Sequence, residues 1–342
     1  MNRSKSRATL ADVARHADVA KSTASLVFSA PTRVAPETVQ RVLTAAKLLD
    51  YRPNPLAQGL KNRRGSMIGM LVNDMRNPLS GLAQTVAQRT AHEAQQMILT
   101  STSEGDVENE LEILSQFNRI NIRGVVLTSA GKGEAHCARL RETGLHFVTL
   151  DLRLPELGCD HVGIDNRAAT EGLTRHLIEK GHRRIAHISG GGTMSTSIGR
   201  REGVEDALRA AGLPVEPLYM KDASFSGDTA AALTRELMEL DTPPTAIVAA
   251  NAPICAGVLR ALDGLGLSCP EDLSVVTVDD PPWRELVKPR ITCVTQPFDT
   301  MARAAVERIL ALQHGGWVRR SPPLVQEYQA SFLAGDSVRD LS

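Results

Sequence analysis

TLADVARHADVAKSTASLVF, residues 9–28, is the stretch on which the reading of this chain turns. Leu10, Val13, Ala14 and Ala17 fall on one face of a short helix, Thr9 and Asp12 form a T-x-x-D capping box, and Asp18-Val19 breaks the run. A second helix begins near Lys21, with Ala24, Val27 and Phe28 as its buried side. Two short helices joined by a tight turn, the second opening on Lys-Ser-Thr, have the outline of a helix-turn-helix that places its second helix in a DNA major groove. An ordinary helical hairpin packed on a larger core shares the local pattern, so the residues that follow decide between them.

Working outward, Pro36 sits at a helix start, and Val39, Val42, Leu43, Ala46 and Leu49 give a third helix its apolar face. Tyr51-Arg52-Pro53-Asn54-Pro55 ends it. The segment LAQGLKNRR, residues 56–64, is too short to hold itself helical in water; by composition it is a basic linker, and its own physics makes it a flexible tether. Residues 1–64 hold 12 Lys and Arg against 4 Asp and Glu, leaving 27 against 35 in the remainder, although the whole chain is formally neutral. A basic head on an acidic body implies a polyanionic partner at one end only. A basic tail of a ribosomal or membrane-surface protein has similar charge but lacks the helix-turn-helix pattern in the same residues.

The 342 residues, 42% hydrophobic, suit two or three domains with sizeable cores. The opening residues carry no signal-peptide pattern, and no apolar run is long enough to span a bilayer, so the expected location is the cytoplasm, with no membrane partner. Cysteines 137, 159, 255, 269 and 293 are scattered without a C-x-x-C pair, consistent with idle thiols in a reducing compartment. No metal and no cofactor are expected. Beyond the head, apolar strand-like runs at 66–72, 96–100, 123–128, 145–150, 185–189, 245–250 and 273–278 alternate with helical patterns at 82–95, 106–119, 167–180, 198–211, 227–240 and 254–265. Such alternation means parallel sheets with helices on both faces, and its repetition about residue 164 implies two similar lobes.

Features that invite an enzymatic reading do not assemble. Gly190-Gly191-Gly192 follows a strand and precedes a helix, yet completes neither phosphate-loop signature. His176, His182 and His187 are not spaced as a metal set. The acidic run Glu104, Asp106, Glu108, Glu110 and Glu112 reads as a helix start and its solvated face. No nucleophile stands beside a base, so there are no candidate catalytic residues.

The order of the motifs is specific where each alone is weak. The N-terminal helix-turn-helix, Y-R-P-N-P-L-A-Q-G-L from 51, S-M-I-G-M-L-V from 66, N-P at 77–78, R-G-V-V-L-T at 123–128, I-D-N at 164–166, H-L-I-E-K-G-H-R-R-I-A-H-I at 176–188, V-D-D at 278–280 and I-T-C-V-T-Q-P at 291–297 span essentially the whole chain. In that order the chain resembles the lactose-repressor (LacI/GalR) family of bacterial transcription regulators. The resemblance implies a helix-turn-helix domain at 1–54, a hinge at 55–64 and a periplasmic-binding-protein-like α/β body at 65–342. It implies three crossings between lobes, near 164, 291 and 324, giving an N-lobe of 65–164 and 292–323 and a C-lobe of 165–291 and 324–342. A homodimer or tetramer on palindromic double-stranded operator DNA follows, with a sugar or related metabolite as effector between the lobes. It further implies that the two hinges fold side by side in the minor groove, each inserting Leu60 at the operator centre.

In the helix-turn-helix reading, Lys21 and Ser22 meet base edges, and Thr23 and Ser25 are placed for bases or phosphates. Thr9, Asn54, Leu60, Arg63 and Arg64 complete the expected DNA-contacting set. Ala20 and Ala35 replace the family's usual serine caps, and Leu26 removes a polar contact. A pocket for a polyhydroxyl ligand needs charged and amide groups that pair with vicinal hydroxyls, and a flat apolar surface. Asp151, Arg200, Asn251 and Asp279 match family ligand positions, each at or after a strand's carboxyl end. Asp222 and Ser80 stand where relatives carry aromatic rings and Ala252 where they carry Asp, leaving Trp283 or Phe298 to supply the stacking surface. Thr196 lies in the 193–197 loop, which with Arg201 would suit a phosphorylated sugar, although Asp151, Asp222 and Asp279 would repel one. The competing classes are a periplasmic-type sugar-binding protein, which the basic head disfavours, and a small-molecule enzyme.

Overall fold

A computed structural model describes residues 8–51, 67–318 and 320–342, which form two compact units, 1–66 and 67–342. In the first, α1 (Leu10–His16), α2 (Lys21–Ser29) and α3 (Pro36–Leu48) enclose a small core of Val13, Ala14, Ala17, Ala24, Val27, Val42, Ala45 and Ala46. Mostly small side chains let these short helices approach closely. The capping box is reciprocal: Thr9 N donates to Asp12 Oδ2 at 2.9 Å and Asp12 N donates to Thr9 Oγ1 at 3.3 Å. Asp18 takes φ of 51° to turn the chain into α2. Neither Ala20 nor Ala35 supplies a side-chain cap, as their chemistry requires.

The second unit runs β1 (Met67–Val72), α4 (Pro78–Glu93), β2 (Met97–Thr102), α5 (Val107–Arg119), β3 (Gly124–Leu127), α6 (Gly133–Glu142), β4 (His146–Leu150), β5 (Asp160–Ile164), α7 (Asn166–Glu179), β6 (Ile185–Ser189), α8 (Ser195–Ala210), β7 (Met220–Asp222), α9 (Gly227–Met238), β8 (Ala246–Ala249), α10 (Ala252–Leu265), β9 (Ser274–Val278), β10 (Thr292–Thr295), α11 (Phe298–His314), β11 (Val325–Tyr328) and β12 (Ser331–Leu333). These strands build two six-stranded sheets, β11-β5-β4-β3-β1-β2 and β12-β10-β9-β8-β6-β7. Every pairing is parallel except β10 with β12. Every residue of β3, β6, β8 and β9 is buried, which is why these runs are largely apolar without alternation; β5 is as fully buried but opens on Asp160 and His161.

The lobe boundaries expected at 291 and 324 fall too early. Residues 292–295 are a strand of the C-lobe sheet, beside β9, and residues 325–328 are a strand of the N-lobe sheet, beside β5. The chain changes lobe only after β5, β10 and β11, at the carboxyl ends of completed strands. The N-lobe therefore takes 67–164 and α11 through β11, and the C-lobe takes α7 through β10 together with β12.

His161 on β5 and His187 on β6 are buried, one in each lobe's sheet, and are held to a pKa of about 4 first by burial, with neighbouring arginines adding to it. His187 Nδ1 lies 2.9 Å from the Val248 carbonyl and donates to it, as the neutral imidazole can. Because each histidine charges near 6.5 when unfolded but near 4 when folded, acid favours the unfolded chain. Stability is retained above 6.5 and lost as pH falls toward 4, by about 1.4 kcal/mol per pH unit for each histidine. Urea unfolding from pH 7 to 4.5 should show this slope, and His187→Gln should reduce it.

Candidate functional site

The first candidate site is the exposed side of α2. Lys21 and Ser22 are exposed on its first turn, Thr23 and Ser25 are half-buried, and Ala24 and Val27 turn inward to the core. The exposed turn is thus fixed by the apolar pair behind it. Thr9 is exposed at the start of α1 but committed to its capping box. Asn54, Leu60, Arg63 and Arg64 lie outside the described residues.

The second is a cleft of about 1180 Å³ between the lobes, lined by the carboxyl ends of strands from both sheets. At its floor sits Arg200, only 3% exposed. The guanidinium is held by donation from Nε to Asn166 Oδ1 at 2.7 Å and from Nη1 to the Ala250 carbonyl at 2.6 Å, leaving Nη2 uncommitted among the described residues. Its helix, α8, presses against α7 at Gly203, where a Cβ would come within 2.1 Å of the Arg167 carbonyl. Thr170 Oγ1 donates to the Arg200 carbonyl at 2.8 Å across the same contact. Any larger residue at 203 would lift α8 and carry Arg200 out of place.

Two aspartates from opposite lobes share the floor with Arg200, and their settings match. Asp151 follows β4 and Asp279 follows β9; their φ angles are 66° and 79°, the left-handed region that non-glycine residues enter at a cost. Each backbone N–H reaches the adjacent strand at 2.9 Å, Asp151 to Val162 O and Asp279 to Val294 O. Asp279 Oδ1 accepts from Gln296 Nε2 at 2.6 Å. Asp151 Oδ1 and Gln296 Oε1 are buried and find no hydrogen-bond partner among the described residues. Burial pushes both aspartates' pKa values up, against the pull of Arg200. Between the lobes, Arg153 N donates to Ser195 Oγ at 2.9 Å.

Of the expected cleft residues, Asp151, Thr196, Arg200, Asp222, Asn251, Asp279 and Phe298 line the cavity, whereas Ser80 and Trp283 do not. Ser80 is turned toward its own loop, donating from Oγ to the Asp74 carbonyl at 2.7 Å. Trp283 packs on the C-lobe core because buried Arg284 anchors its turn to the Ile291 and Ala334 carbonyls. Asn251 spends its Oδ1 capping α10 through Ile254 N, at 3.0 Å. Gln296 and Phe225 were missed as cleft residues, and Asn166 as the partner that positions Arg200. Asn166 and Gln296 stand inside quoted motifs, I-D-N and T-Q-P, whereas Phe225 carries no local signal.

A helix-turn-helix head and a two-lobed, strand-end cleft together define a ligand-responsive DNA-binding regulator. Residues 9–54 match bacterial regulatory proteins of the lacI family, and residues 174–329 match the periplasmic binding protein-like domain. The chain is 32% identical over 315 residues to the HTH-type transcriptional regulator CelR of Thermobifida fusca, covering 89% of this chain and 92% of that protein. It is 31% identical over 320 residues to PtxS of Pseudomonas plecoglossicida, covering 92% of each. Among solved structures, a CelR–cellobiose complex matches at 28% identity and a TM-score of 0.72, covering 97% of this chain and 100% of that one. A lac repressor dimer bound to operator matches at 21% identity and a TM-score of 0.85, covering 98% and 100%, a likeness of fold. The chain belongs to the lacI family of bacterial regulatory proteins, which are transcription regulators rather than enzymes.

An aspartate whose charged form is disfavoured in the fold weakens it above its unfolded pKa, increasingly as pH rises through the folded value. Asp151→Asn is therefore expected to raise the thermal midpoint of the ligand-free protein at pH 7, with a gain that shrinks toward pH 4. A lower midpoint at pH 7 would mean that attraction to Arg200 outweighs the burial.

Proposed function

We propose that this protein represses transcription by binding a palindromic operator as a homodimer, and that a neutral polyhydroxylated ligand, a sugar or sugar derivative, alters that binding from the cleft. The observation that carries the ligand class is the pair of unpartnered buried acceptors, Asp151 Oδ1 and Gln296 Oε1, beside Arg200. Buried acceptors left unmatched cost about 1–3 kcal/mol each, so a ligand gains most by bringing donors to both. Vicinal hydroxyls do so and accept from Arg200 Nη2 in return. A phosphorylated sugar brings acceptors and charge to a floor already holding two carboxylates. The cellobiose complex of CelR and a ribose-bound relative from Enterococcus faecium support a sugar.

Lys21 and Ser22, on the exposed first turn of α2, are proposed to read bases, with Thr23 and Ser25 beside them. Thr9 and, beyond the described residues, Asn54, Leu60, Arg63 and Arg64 remain proposed backbone and groove contacts. The dimer would bury the N-lobe's outer side, where Leu82 of α4 and Met97 and Leu99 of edge strand β2 are 43%, 58% and 38% exposed.

Operator selection from a random duplex pool, followed by titration with candidate sugars, tests the reading. Lys21→Ala should shift the selected half-site, while Arg200→Ala should keep ligand-free operator affinity within about twofold and lose the sugar response. An unchanged sugar response in Arg200→Ala would remove the cleft from the mechanism. Met97→Glu should turn a sedimenting dimer into a monomer and weaken operator binding at least tenfold; a dimer that persists would place the interface elsewhere.

A further inference from the structure

The cleft is longer than its floor. In the C-lobe the strand ends that line it run β10, β9, β8, β6, β7; in the N-lobe they run β4, β3, β1, β2. Asp279 and Asp151, with Gln296 beside Asp279, hold one end of this trough, and the β7 end lies three strand spacings from β9, about 14 Å. Arg200 and the unpartnered acceptors all serve the aspartate end.

At the far end stands Phe225, half-exposed to the cleft. It and Ser224 are consecutive non-glycine residues with left-handed φ, 61° and 47°. That arrangement is strained and persists only where surroundings hold it. Asp222 is the holder: Oδ1 accepts from Ser224 N at 2.7 Å and Oδ2 accepts from Gly192 N at 2.7 Å, tying the β7 and β6 loops together. The Phe225 ring then lies on the backbone of Gly190, where a Cβ would come within 2.2 Å of its carbons. The glycine run is thus a seat for an aromatic ring, and the Asp222 carboxylate pins that ring in place three residues later.

Resting on the sugar reading above, we propose that the effector has two joined units: a polyhydroxyl ring clamped at the Asp151–Arg200–Asp279 end, and a second ring whose flat apolar face lies on Phe225. Stacking on an aromatic face is tolerant of hydroxyl stereochemistry, so the far end selects for the presence and flatness of the second ring, whereas the floor selects which sugar is bound. The second ring is another pyranose or an aryl group, chemistries that share the apolar face.

Isothermal titration of the full-length protein tests this with glucose, galactose and xylose, then cellobiose, maltose and lactose, then the p-nitrophenyl glycosides of the same sugars. At least one two-ring ligand should bind 10–100-fold tighter than its single-ring parent. Phe225→Leu, which keeps apolar bulk without the flat face, and Phe225→Ala should erase that advantage while leaving the single-ring affinity within about twofold; Phe225→Tyr should keep it. The disaccharide and aryl arms show which second ring fits. Equal weakening of one-ring and two-ring ligands would put Phe225 against the first ring and overturn the proposal, as would a single-ring sugar that binds as tightly as every larger one. Binding by no sugar of any size would overturn the underlying ligand reading, and the two-unit ligand with it.

Discussion

A cation buried at the bottom of a cleft constrains everything around it. Arg200 is removed from water, and a charge in that position is tolerated only where fixed dipoles and opposite charges surround it. Asn166, the Ala250 carbonyl and the two floor aspartates provide them, drawn from α7, from the end of β8 and from both lobes. The close α7–α8 packing at Gly203 and the left-handed turns at Asp151 and Asp279 all serve that arrangement. The aspartates stay strained and partly unmatched, a cost that makes sense in a site built to be completed by something else.

The head and strands β1–β4, β6, β8 and β9 were legible because their signals are local, whereas the interior strands β5 and β10 were not read as strands. A threonine three residues before an aspartate caps a helix, and continuous apolar runs with short polar breaks are what doubly covered parallel strands must look like. Elements at the margins were not. Strands β7, β11 and β12 are three or four residues long and partly exposed, so no hydrophobic run announces them. Helix α11 begins after Pro297 with no side-chain cap, and α6 likewise follows an uncapped Lys132. The misplaced lobe boundaries have the same root: whether a short strand pairs with one sheet or another depends on partners outside its own segment, as where Val325 of β11 lies beside His161 of β5.

For the cleft, the charged residues were readable because they stand at strand ends, where parallel sheets gather ligands. Trp283 and Phe225 show the limit of that reasoning. Nothing near Trp283 in the sequence reveals that a buried arginine beside it turns the indole onto the core, and nothing near Phe225 reveals a backbone conformation that phenylalanine seldom adopts. The only trace of the latter was the glycine run at 190–192, well upstream in the sequence, which is intelligible once the ring is seen lying on it.

The interleaving of the two lobes bears on how the polypeptide is made. The N-lobe sheet lacks its outer strand until 325–328 are synthesised, and the C-lobe sheet lacks β12 until 331–333. The last residues still close contacts, with Ser337 O accepting from Val275 N and Leu341 N donating to Lys180 O. The three-helix head, by contrast, has its full core by residue 51. On the ribosome, then, the head can fold while the residues of both lobes are still to be made, whereas neither lobe can finish until its outer strand, 325–328 or 331–333, has been added. Between those two points a nascent chain would carry a folded head and an incomplete sensor.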